Sequence, residues 1–352
     1  MSGAASGADF VLETRGARHD LGAHVVAAAV EAQSRVAAFA LGDGTVALIA
    51  LGDPKRLAAR PALHDGAALA LAADVAPGGF LTGGDDGRLA RLDATGEAAT
   101  LGTWPGRWVE HVLAFPGTGA QGWRAAAVGR SVHVLDGGGA VVKTLPHPST
   151  VTGLATDAKG KRLAASHYNG ASLWFVAAKE DRPRALAWKG SHIGVAMSPD
   201  GRFLVTSMQE NTLHGWRLED GADMRMSGYP AKTKSLAFSA RARWLATSGA
   251  EAIVCWPMTD DGPMGKPPKE LAGGDGVLVT VVAAHPQHEV VAAGFADGLI
   301  VLVEIESGRV LPVADQGRGA ATALAWSPDG RWLAFGTETG FAAVVDFAGP
   351  QA

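Results

Sequence analysis

Apolar and polar residues alternate along this chain in runs of five to seven, and the runs are separated by Asp-Gly or Pro-Asp-Gly turns. The clearest copies are Met197 to Ser207 and Trp326 to Gly336. In each, an apolar strand end leads into Ser-Pro-Asp-Gly and then a second apolar strand (Phe203-Leu204-Val205 and Trp332-Leu333-Ala334). A second hairpin element follows at Asp43-Gly44, Asp86-Gly87 and Asp297-Gly298, each opening an alternating run. Glycine supplies the positive φ such tight turns need, and alternation gives each strand two distinct faces. The pattern therefore predicts hairpins of short antiparallel strands.

Aligned on the last large apolar residue of the second hairpin, the units place Ile49, Leu92, Leu135, Phe175, Trp216, Trp256, Val303 and Val345 in register. The separations are 43, 43, 40, 41, 40, 47 and 42 residues, a period that recurs across the whole chain. A small antiparallel sheet buries both faces only against neighbouring sheets, so units of this kind stack into a ring.

With Ser198 to Gly201, Ser327 to Gly330, Trp216 and Trp256 as its best matches, the chain resembles a divergent bacterial member of the WD40 repeat family from about His24 to Phe347. The Trp-Asp pair is absent: Arg217 follows Trp216 and Pro257 follows Trp256. The resemblance implies an all-β, eight-bladed WD40-type β-propeller as a single domain over residues 9–349, with 1–8 a flexible tail. Seven blades is the alternative, and would leave one period outside the ring. The third copy, Trp123 to Asp136, has the weakest turn signal.

Outer strands are expected at Lys55 to Ala59, Val141 to Leu145, Arg182 to Ala187 and Arg309 to Val313. The last unit has no room for one. Phe10 to Thr14 is expected to supply it, closing the ring with an N-terminal strand and removing two open sheet edges. The Pro-rich stretch Pro257 to Pro268 within the longest interval reads as a perimeter loop between the sixth and seventh blades.

Composition narrows the function. Hydrophobic residues are 47% and charged residues 19%, enough for a substantial core. A net charge of −4 gives no general attraction for nucleic acid or an anionic membrane. Lys159, Lys161 and Arg162 form the densest basic group and read as a solvated turn. No run approaches the length of a membrane helix, and the amino end has no signal-peptide pattern, so a cytoplasmic location without membrane insertion is the default expectation. The lone Cys255, in the apolar run Ile253 to Trp256, is expected to be a buried, unreactive thiol.

No phosphate loop, dinucleotide fingerprint, metalloprotease helix motif or serine elbow occurs, so neither enzymatic activity nor a cofactor is expected. The informative residues lie in the fourth and fifth units. His167, Tyr168, Asn169 and Gly170 stand where other units have Asp-Gly. Lys189, Gly190, Ser191 and His192 precede the next inner strand, and Met208, Gln209 and Glu210 occupy the corresponding turn, with His214 beyond. In the fold the sequence resembles, these loops share one face around the channel mouth.

The leading reading is a non-catalytic scaffold whose partner-binding face comprises His167, Tyr168, Asn169, His192, Met208, Gln209 and Glu210, for a protein partner the sequence does not identify. A metal-homeostasis accessory protein, binding at the channel mouth either a transition metal, through His167, His192, Met208 and Glu210, or a metal-handling partner, is the alternative. A propeller enzyme comes last, for want of an acid–base pair. Histidines of this family also serve in internal hydrogen-bond networks, the expectation for His24 and His64. His285 and His288 are expected on the opposite face, and Trp216 and Trp256 as wedges between blades.

Overall fold

The computed structural model describes residues 10–31, 33, 36–117 and 122–348. The expected tail 1–8 and both ends of the 9–349 domain lie outside the described residues.

The hairpins form as the alternation predicts. β2 (Val25–Glu31), β3 (Val36–Leu41), β4 (Val46–Ala50) and β5 (Leu57–Ala59) make one antiparallel sheet, in that order. β6 (Ala68–Ala73), β7 (Phe80–Gly84), β8 (Arg88–Leu92) and β9 (Ala98–Thr103) make the next. The third repeat, despite its weak turn signal, forms a complete sheet of β10 (Val109–Phe115), β11 (Trp123–Val128), β12 (Ser131–Asp136) and β13 (Val141–Pro146).

The fourth and fifth repeats are joined in one six-stranded sheet: β14 (Gly153–Thr156), β15 (Arg162–Phe175), β16 (Arg184–Met197), β17 (Phe203–Met208), β18 (Leu213–Arg217) and β19 (Asp223–Met226). Two more sheets of four follow: β20 (Leu236–Phe238) to β23 (Lys269–Gly273), through β21 (Trp244–Thr247) and β22 (Ala252–Pro257), then β24 (Val279–Ala284), β25 (Val290–Phe295), β26 (Ile300–Glu304) and β27 (Val310–Ala314). The last comprises β28 (Ala321–Trp326), β29 (Trp332–Thr337), β30 (Phe341–Asp346) and the N-terminal β1 (Gly16–Asp20).

Eight sequence periods thus build seven hydrogen-bonded sheets, which corrects the expectation of an eight-bladed ring: counted by its sheets, the propeller is seven-bladed. No period drops out of the ring. The number falls because β15 and β16, 14 residues each, carry pairing continuously from the fourth repeat into the fifth. β15 turns back on itself at Asn169 (φ 67°) and Gly170 (φ 139°), and the Val176 N–H donates to Lys161 O at 3.0 Å. The first part of β16 pairs with β15 (Ala187 with Gly170), and its second part pairs with β17 (Gly194 with Ser207). Gly190, at φ 129°, lets the chain cross from outer to inner position without leaving the ladder.

Closure also differs from expectation. An N-terminal strand completes the last sheet, but it is β1, whose Gly16 to Asp20 pair with Val345 to Phe341. Phe10 and the short helix α1 (Val11–Arg15) precede it. The apolar run expected as the strand is instead a plug: Leu12 is buried among Leu302, Val313, Phe335 and Val345. An outermost strand needs little apolar character, so the polar sequence Gly-Ala-Arg-His-Asp suffices for β1.

The Pro-rich segment is likewise placed differently. It connects β22 to β23 within one sheet, rather than two blades. Its Asp260 carbonyl and Asp261 carboxylate accept from Arg202 and Arg217 of the fifth repeat, fastening the loop to the neighbouring sheet.

Apolar clusters fill every gap between adjacent sheets that the described residues define. At the closing seam, Val25, Phe39 and Ile49 of the first repeat meet Trp332, Ala334 and Val344 of the last. Each large apolar side chain among these, removed from water, contributes roughly 1.5–3 kcal/mol. One interface is tied by charge as well. Arg124 is enclosed, its Nε 2.5 Å and its Nη2 2.9 Å from the two oxygens of an equally buried Asp74, a bidentate pair joining the second and third repeats.

Trp216 is buried as expected, whereas Trp256 is half-buried and donates its indole N–H to Tyr229 Oη at 2.6 Å. Cys255 is fully buried, and burial pushes its thiol pKa up to about 12, so it stays protonated.

Candidate functional site

The junction of the fourth and fifth repeats opens a cleft of about 470 Å³ lined by Tyr168, Trp188, Lys189, Gly190, Met208, Glu210, Thr212 and Arg225. The β15 bend supplies Tyr168, the β16 crossing supplies Trp188 to Gly190, and the β17–β18 turn supplies Met208 to Thr212. Gly190 is required where it stands: a Cβ there would lie 2.5 Å from Met208 Cε, in a backbone conformation that side chains rarely adopt.

The expected residues divide into two groups. Tyr168 is 55% exposed, and Asn169, Gln209 and Glu210 are also exposed. His167, His192 and Met208 are buried behind them. His167 has Nδ1 2.9 Å from Tyr168 O and Nε2 3.0 Å from Ser172 Oγ. His192 has Nδ1 2.7 Å from Thr206 Oγ1 and Nε2 2.9 Å from Trp188 O. Both rings therefore spend both nitrogens holding the bends.

Asn169 occupies the left-handed region, and its side-chain oxygen accepts the Gly190 N–H at 3.1 Å, locking the two bends together. The Gln209 N–H donates to Ser191 O at 2.9 Å. These bonds present Tyr168 and Glu210 on a fixed backbone.

Behind the cleft, the His214 ring stacks on Trp188 with centroids 3.9 Å apart and meets Trp216 edge-on at 4.7 Å. Burial pushes its pKa down to about 4. The His192 pKa is also lowered, chiefly by burial, so its ring is neutral at ordinary pH. Among the described residues, no group of three or more His, Cys, Asp or Glu side chains is arranged to hold a metal ion.

The cleft is distinct from the channel mouth. The mouth is a separate cavity of about 950 Å³, lined by inner-strand residues such as Val26, Thr280 and Thr322 with Lys232 and Lys234, to which only Asn211 of the candidate turn contributes. Sequence reading did not single out Trp188, Thr212 or Arg225. An indole directly before Lys189-Gly190 was the available signal for the first. Arg225 comes from β19 and is brought in only by the fold.

His64 lies with Nδ1 3.0 Å from Asp86 and Nε2 2.9 Å from Thr82 Oγ1, the same loop-holding geometry as His192 in an ordinary sheet. His285 caps a turn on the other face, its Nε2 3.1 Å from Gly330 O.

The sheets define a β-propeller, and only its last part matches a WD40 family model. Residues 286–349 match the family model of the anaphase-promoting complex subunit 4 WD40 domain. Among solved structures, the computationally designed Ika8 protein superposes with a TM-score of 0.73 at 18% identity, covering 94% of this chain and 98% of that one. A chain of the mitotic checkpoint complex superposes with a TM-score of 0.65 at 17% identity, covering 79% of this chain and 86% of that one. An 87-residue stretch is 38% identical to Tricorn protease homolog 1 of Streptomyces coelicolor, which is 25% of this chain and 8% of that protein. Among the described residues, no helix is long and apolar enough to cross a membrane.

Proposed function

We propose that the chain is a non-catalytic protein-interaction platform, working in the cytoplasm of a bacterium, that receives its partner on the face carrying Tyr168, Asn169, Gln209 and Glu210. One observation carries this reading. A tyrosine 55% exposed stands on a turn where folding needs only Asp, Asn or Gly, and the surrounding bonds hold that turn rigid. Rigid, exposed aromatics beside mixed charges are the usual anchors of protein interfaces. The matched family model is named for a subunit of a multiprotein complex, which agrees with this reading.

His167, His192 and Met208 act from behind, by fixing the shape of the face. A metal-handling role draws no support from the imidazoles, whose nitrogens are already engaged.

Affinity purification from the native cell with wild-type bait and with a Tyr168→Ala, Gln209→Ala double variant tests the proposal. The reading expects a defined set of proteins to be recovered with the first and depleted with the second, the purified interaction weakening by more than about 2 kcal/mol while the melting temperature holds. Equal recovery with both baits would remove this face from the account.

A further inference from the structure

The opposite face of the ring carries a second, unrelated feature. Between the third and fourth repeats lies a groove of about 960 Å³, with apolar walls from Phe115, Trp123, Phe175 and Ala177. Phe175 is the anomaly. It stands at the position where Ile49, Leu92, Leu135, Trp216, Val303 and Val345 are all buried, yet it is 58% exposed. Trp174 takes the interior place, its indole N–H donating to His147 Nε2 at 3.1 Å, and the adjacent Phe175 is turned outward.

The rim is basic and unneutralised. Each nearby carboxylate is already matched: Asp157 with Arg162 at 2.9 Å, Asp181 with Lys143 at 2.7 Å, Glu180 with Arg182 at 3.1 Å. Among the described residues, Lys159, Lys161 and Lys179 make no ion pair. Lys159 and Lys161 line the groove itself.

We infer that this groove is a docking site for an extended acidic peptide segment, one that seats an aromatic or leucine side chain against Phe175 and places flanking Asp or Glu residues on Lys159 and Lys161. The walls supply the apolar contact and Trp123 the fixed floor, since its indole N–H is held by Gly160 O at 3.0 Å. The lysines supply selection for the charge of the partner, with the steering and salt sensitivity that exposed charges confer. The site is independent of the Tyr168 face.

Panning a phage-displayed library of random peptides on the full chain tests this, with counter-selection on a Phe175→Ser, Lys159→Glu, Lys161→Glu variant. These side chains are exposed, so the variant should keep the wild-type melting temperature, and a single Phe175→Ser chain serves if it does not. The expected result is a consensus of one aromatic or leucine flanked by acidic residues. A synthetic copy should bind wild type at least about tenfold more tightly than the variant, lose affinity as salt rises, and be indifferent to Tyr168→Ala.

Recovery of no acidic–apolar consensus, or equal binding to both chains, would overturn the inference. So would self-association of the wild type in sedimentation that the variant abolishes, which would make the occupant a second copy. Flotation of the chain with phosphatidylserine vesicles in preference to peptide binding would overturn it in favour of a lipid surface.

Discussion

His214 sits enclosed between Trp188 and Trp216 with neither ring nitrogen in a hydrogen bond, its Nε2 3.8 Å from Asp223. It is stable there only as the neutral base, and its pKa falls to about 4, as do those of His111 and His147, mainly through burial. In the unfolded chain the same rings take up protons near pH 6.5. The unfolded state therefore binds more protons between those limits, and the contribution of these residues, complete above about pH 6.5, is lost as pH falls toward 4. Melting followed by circular dichroism should show the midpoint dropping across that window, and His214→Phe, which keeps the stack but cannot titrate, should make the slope shallower. A flat profile would contradict the assignment.

The two aligned tryptophans should also separate. Trp216→Ala removes a buried indole and should cost about 3–5 kcal/mol in denaturant unfolding. Trp256→Ala, at a half-buried site, should cost less, about 1–3 kcal/mol. The register of the repeat foretold a wedge at both positions but not the difference, because burial at the sheet rim depends on the neighbouring loop. Phe175 shows the same limit: nothing in its own repeat announces that Trp174 displaces it.

Among the elements, the closing strand is the most exposed to error in sequence reading and the most consequential in structure. β1 pairs along its whole length with β30, and α1 inserts Leu12 beneath it. A chain beginning at Leu21 would leave the β30 edge unpaired and an apolar socket open. It should aggregate on expression, while a Thr14→Ala chain, altered only at an exposed helix position, should behave as wild type in size-exclusion chromatography.

Strand hairpins, turn positions and several outer strands were legible in the alternation and the Asp-Gly spacing. The clasp was not, because hydrophobicity marks what is buried on both faces and an outermost strand is not. Of the candidate site, Tyr168, Met208 and Glu210 were legible as side chains too large for their turns and do line one cleft. Arg225 was not, since its contribution comes from a strand with no local signal.

At the scale of the whole ring, the joined fourth and fifth repeats should behave as one cooperative unit. They share a core in which Leu173, Leu186 and Ala171 of the fourth pack with Leu204, Trp216 and Leu218 of the fifth, and their strands share a ladder. Leu173→Ala should raise amide hydrogen exchange in β17 and β18 nearly as much as in β15, and leave β10 and β11 little changed. Exchange confined to the fourth repeat would show that the continuous sheet carries no coupling.

The antiparallel pairing of β1 with β30 also sets how the molecule answers to force. Gly16 faces Val345, so the chain enters one strand and leaves the other at the same end of the ladder. Tension applied through residues 10 and 348 would peel the backbone bonds successively, like a zipper, rather than shear them together. In an optical trap the ring should open first at this seam, at low load and with rapid reclosure, while handles placed within a single inner sheet should meet a much stiffer molecule.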